Sequence, residues 1–154
     1  MADIGRSTAA HVEEYEIESS AGWVELEHWG LWSSLLTHPR LGYPRQSAGF
    51  ALIKEKYRTT KAREPLRMGE EYDEDRGARA DVLIGECRPI YRDLFMLTFD
   101  LQMDDTVAAK FLSRAYCLRK VKDRPVPIDR KEYKALKHQG VAAFNVLIEF
   151  MKAA

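Results

Sequence analysis

Apolar residues recur along this chain at spacings of three and four, the period of an amphipathic helix. In residues 22–37, Trp23, Leu26, Trp29 and Leu36 share one stripe, and Trp32 and Leu35 widen it. All three tryptophans of the chain lie there. Gly30 interrupts the stripe, and a mid-helix glycine costs about 1 kcal/mol relative to alanine, so it implies close backbone packing. Two prolines and a glycine then mark residues 38–45 as a loop. Ser47 suits the N-cap of a short helix over residues 48–57, with Phe50, Ile53 and Tyr57 on one face.

The charged residues 64–79 include Pro65, Gly69 and Gly77 and read as a linker or long surface loop. A helix is expected from Ala80 to Cys87, ended or kinked by Pro89. Residues 90–101 are strongly apolar and favour helix by spacing, with a buried strand over 94–99 as the other option. Asp104 and Asp105 suit the positive end of a helix that buries Val107, Ala108, Phe111 and Leu112 and runs on toward Val121. Arg124-Pro125-Val126-Pro127 must break it. Asp129 then caps a last helix, Arg130 to about Met151, whose buried stripe is Tyr133, Leu136, Val141, Phe144, Leu147 and Ile148. The expected fold is mainly all-α: a flexible acidic tail over residues 1–20, then one helical domain over residues 21–154.

Charge sharpens this picture. Net charge is zero, with 24 Lys plus Arg against 24 Asp plus Glu, but the zero is a cancellation. Residues 1–28 hold seven acids and one Arg, whereas residues 110–137 hold ten bases and three acids. Such asymmetry suggests two different partner surfaces. No apolar run reaches the length of about 18 residues that a membrane span needs. The two cysteines, Cys87 and Cys117, form no CxxC pair, which fits a reduced cytoplasmic protein. Nucleophile, P-loop, zincin and dinucleotide motifs are all missing, so no catalytic residue is assigned and the chain does not read as an enzyme. His11, His28, His38 and His138 lack ligand-pair spacing with one another or with the cysteines, so no metal or other cofactor is expected.

The residues do support a helix–turn–helix-like pair in the last third. Recognition helices offer their first turns to the major groove. Arg130, Lys131, Lys134 and Lys137 occupy the first two turns of the last helix, and Arg114, Arg119 and Lys120 precede it. Arginine can read guanine bidentately, and lysine more often meets phosphate. A solvated basic face is the alternative reading of the same residues. The segment between the two helices, residues 113–127, is far longer than the three or four residues or so of an ordinary turn, so the pair is interrupted.

Leu26-Glu27-His28-Trp29-Gly30-Leu31-Trp32, followed by Gly42-Tyr43-Pro44 and the apolar residues 48–54, is one of two segments that resemble the antitermination protein Q family of phages and prophages, in its small helix–turn–helix form. The other runs over residues 81–111 and resumes at 128–147, where Gln139-Gly140-Val141-Ala142 is similar to the family's Ala-Gly-Val-like step. The acidic N-terminal extension, the charged residues 67–79 and the basic insert depart from the family pattern. The resemblance implies a transcription antitermination factor. It would bind double-stranded DNA near a phage late promoter, engage bacterial RNA polymerase still carrying its sigma factor, and let it read through terminators. It also implies DNA contact by Arg130, Lys131, Lys134, Lys137, Arg114, Arg119 and Lys120. The stripe of Trp23, Trp29 and Trp32 reads for the most part as the buried face of a core helix, and under the resemblance that helix, with the acidic tail, holds the candidate polymerase contacts. The other function weighed is a small phage protein that inhibits or adapts a host complex through protein contacts alone.

Overall fold

The computed structural model describes residues 16–35 and 63–153, and among these described residues the main elements are helices and one short hairpin. Helix α1 spans Ala21–Leu35, α2 Glu74–Gly85 and α3 Pro89–Phe95, and α3 continues directly into a π-helical turn, Met96–Asp100. Helix α4 spans Asp105–Tyr116 and α5 Arg130–Ala153. Between them, strands β1 (Lys120–Val121) and β2 (Arg124–Pro125) pair antiparallel, with Lys120 opposite Pro125 and Val121 opposite Arg124. The mainly all-α expectation therefore holds. No described helix is long and apolar enough to cross a membrane. The expected loop at 38–45, the helix over 48–57 and most of the acidic tail lie outside the described residues.

The α3–π segment is the centre of the fold. Asp93, Leu94, Phe95, Met96, Leu97, Phe99, Asp100 and Leu101 are all buried, which suits a helix surrounded by others. Leu26, Trp29 and Trp32 of α1, Ile84 of α2, Leu112 of α4 and Tyr133, Val141, Phe144 and Ile148 of α5 complete one continuous core with it. The π turn shows in the backbone, where Leu101 N–H reaches Met96 carbonyl at 2.9 Å. Its last carbonyls are capped from outside. Arg63 donates through Nη2 to Phe99 O (2.8 Å) and through Nη1 to Asp100 O (2.5 Å), while Ser33 Oγ donates to the Asp100 carboxylate at 2.8 Å. Helix α1 crosses this turn at Gly30, where a Cβ would lie 2.1 Å from the Phe99 carbonyl oxygen, so only glycine fits. That is the close packing the interrupted stripe implies.

Helix α2 starts earlier than expected and takes residues 74–79 away from the supposed linker. Asp73 is its N-cap, its side chain accepting from Asp75 N (3.0 Å) and Arg76 N (3.2 Å). Gly77, which reads as a loop residue in the sequence, sits inside α2 because the helix meets Trp32 there. A Cβ at Gly77 would fall 2.1 Å from Trp32 Cγ. Arg76 fastens the same interface by ion pairs with Glu25 and Glu70, each at 2.7 Å. His28 of α1 supports the cap itself, its Nε2 accepting from Asp73 N–H at 2.8 Å while its ring stacks on Tyr72.

Candidate nucleic-acid interface

Helix α4 begins as its sequence requires, with Asp104 accepting from Thr106 N at 3.0 Å. It ends sooner than expected. Cys117 adopts a left-handed conformation (φ 50°) and its N–H bonds back to the Ser113 carbonyl at 2.9 Å, so the helix stops at Tyr116 instead of running toward Val121. Tyr116 anchors this end to the core by donating its hydroxyl to the buried Asp93 carboxylate. Burial, with the Asp93 hydrogen bond second, pushes the Tyr116 hydroxyl well above its ordinary pKa. Burial likewise raises the Asp93 carboxyl, against the opposing effect of the Tyr116 hydrogen bond.

The basic insert is a hairpin. Lys122 (φ 52°) and Asp123 (φ 62°) both lie in the left-handed region, the signature of a two-residue type I′ turn. Its base is closed by Val126 N, which reaches Arg119 O at 2.9 Å, and tied to α4 by Ile128 N, which reaches Ser113 Oγ at 2.9 Å. Asp129 then caps α5, its side chain accepting from Glu132 N at 2.7 Å, and the helix starts at Arg130 as read from the sequence.

Exposed cations gather around this junction. Arg114 is exposed in the last turn of α4, Lys120 on β1, and Arg130 and Lys131 in the first turn of α5. Arg119 is ion-paired at 3.0 Å with Glu132, the residue next to Lys131, and this links the hairpin to the first turn of α5. Lys134 is half-buried one turn further on. Two hairpin cations were not singled out in the sequence, Lys122 at the turn and Arg124 on β2, and both are exposed. A Lys-Asp turn without glycine or asparagine gives only a weak hairpin signal.

Lys137 does not belong to this surface. It is 7% exposed, its Nζ is 2.9 Å from Asp105 Oδ1, and it lies over the Trp23 ring at 5.6 Å. The reason is periodicity. Tyr133, Lys137, Gly140, Val141, Phe144 and Ile148 are the buried positions of α5, so Lys137 lies one turn after Tyr133 on the core stripe. Lys137, expected among the DNA-contacting residues, is instead a buried core residue.

The tryptophan surface also changes. Trp29 and Trp32 are core residues, and Trp29 Nε1 donates to Asp81 at 3.2 Å, so neither stands where a partner could touch it. Trp23 is half-buried, bonded through Nε1 to Glu27 at 2.6 Å and set edge-on against Phe99. Searches of protein-family models, curated proteins and solved structures give no match to this chain.

Proposed function

We propose that this chain binds double-stranded DNA through the hairpin and the first turn of α5, and acts there as a transcription antitermination factor on RNA polymerase. The observation that supports the DNA half is the exposed cationic group of Arg114, Lys120, Lys122, Arg124, Arg130 and Lys131 around one helix start. Neutralising phosphates with such groups releases counterions and drives binding. An α-helix start, or a two-stranded ribbon, fits the major groove of a duplex. Single-strand binders instead stack bases on aromatic rings. The large apolar side chains exposed on this surface are Leu118 and Val121, neither of them aromatic.

The polymerase half rests on the resemblance of the tryptophan segment to antitermination protein Q. Trp29 and Trp32 lie in the core, so the segment serves packing and not a docking surface. The test has two arms. Lys131→Ala with Lys134→Ala should weaken duplex binding and lower its salt dependence, and unchanged binding would remove α5 as the DNA element. An immobilised chain in nuclease-treated bacterial lysate should retain RNA polymerase subunits, and retention of a different complex without polymerase would favour a protein-only inhibitor or adaptor.

A further inference from the structure

We infer that the hairpin is a distinct contact arm of the duplex site, and that the Arg119–Glu132 ion pair positions it against α5. This rests on the DNA-binding reading above and adds residues and a role to it. The hairpin and its two flanks, residues 117–125, are exposed throughout, so little packing fixes their direction. A lone two-stranded hairpin is marginally stable in water. Its base is held by the Cys117, Val126 and Ile128 backbone bonds, which set where the arm leaves the body. The contact that relates the arm to the recognition turn is Arg119 Nη1 to Glu132 Oε1 at 3.0 Å. Glu132 lies in the same helical turn as Arg130 and Lys131. Arg119 is therefore a positioning residue, and the phosphate contacts of the arm fall to Lys120, Lys122 and Arg124.

The type I′ turn strengthens this assignment. Its twist matches that of the flanking strands and keeps the ribbon short and regular. Lys122 sits at the tip and Arg124 directly across from Val121. A ribbon of this kind can follow the duplex backbone or enter a groove beside the helix.

Glu132 gives the inference a test by sign. As a bare negative charge in a cationic surface, it should repel DNA, and Glu132→Gln should tighten binding. As the partner that aligns Arg119, it should help, and Glu132→Gln should weaken binding severalfold although a negative charge is gone. Affinity for a duplex of about 30 base pairs, measured by fluorescence anisotropy over a salt series, separates these. Arg119→Gln should weaken binding to a similar extent, and the Arg119→Gln/Glu132→Gln double variant no further than either single change. Lys122→Gln/Arg124→Gln should lower the slope of log affinity against log salt by about 1.8, at roughly 0.9 per lost phosphate contact. Far-UV circular dichroism should be unchanged in all of them. Equal or tighter binding by Glu132→Gln would overturn the positioning role, and an unchanged slope in Lys122→Gln/Arg124→Gln would overturn the arm. Either result with wild-type binding intact leaves the α5 reading standing, whereas failure of the wild-type chain to bind duplex overturns both.

Discussion

Two ionisable residues in the core, Lys137 and His28, show how position decides what a charge does. Lys137 looks like a member of the basic run, yet it is held by Asp105 and Trp23 inside the fold. Removing one partner of a buried pair leaves the other charge uncompensated, typically costing about 3 kcal/mol or more. Lys137→Met should therefore lower stability by about 3 kcal/mol in urea unfolding while leaving the salt slope of DNA binding unchanged. His28 is buried and accepts a hydrogen bond from Asp73 N–H, and burial, then the nearby Arg76, holds its pKa below the usual 6.5 despite Glu25, Asp73 and Glu70. The unfolded chain thus binds a proton near pH 6.5 that the folded chain refuses until lower pH. Stability should fall as pH drops from 6.5 toward the lowered folded value, and that part of the pH dependence should vanish in His28→Gln. The burial of Lys137 is legible in the sequence, since it follows Tyr133 by one helical turn. The contact between His28 and Asp73 spans 45 positions and leaves no periodic trace.

At the scale of elements, the helices were legible wherever apolar spacing and caps agreed. Asp129 and Asp104 both cap as read, and α5 begins where its cap places it. Asp129→Ala should destabilise the protein by about 1 kcal/mol, and because the cap sets the first turn of α5, it should also weaken duplex binding. The elements that escaped the sequence are those governed by contacts across the chain. Gly77 breaks the helical pattern locally, but tertiary packing on Trp32 makes glycine the residue that fits. Gly77→Ala should destabilise by about 1–3 kcal/mol or more, seen as a lower melting temperature, because the added methyl meets an indole ring held in the core. The π turn at Met96–Asp100 and the end of α4 at Cys117 likewise follow from capping by Arg63 and from a left-handed backbone, neither of which has a residue-type signature here.

For the whole molecule, zero net charge hides a separation of sign. Exposed acids occupy the start of α2 and the segment before it (Glu71, Asp73, Glu74 and Asp75), while exposed bases surround the start of α5. The sequence located the basic third and the helix that carries it. It did not reveal that the insert folds as a hairpin, because Lys122-Asp123 is an unusual I′ turn, whereas the helical spacing of the tryptophan stripe does point to the core in which Trp29 and Trp32 lie. A charge-separated protein should orient its basic face toward DNA during encounter. The central claim, that this face binds duplex, is tested most directly by duplex affinity between about 50 and about 200 mM salt. Wild-type affinity should fall steeply over that range, and Arg130→Ala/Lys131→Ala should reduce the log–log slope by about 1.8, two contacts at roughly 0.9 each. A wild-type affinity insensitive to salt, or a slope unchanged in that variant, would contradict it.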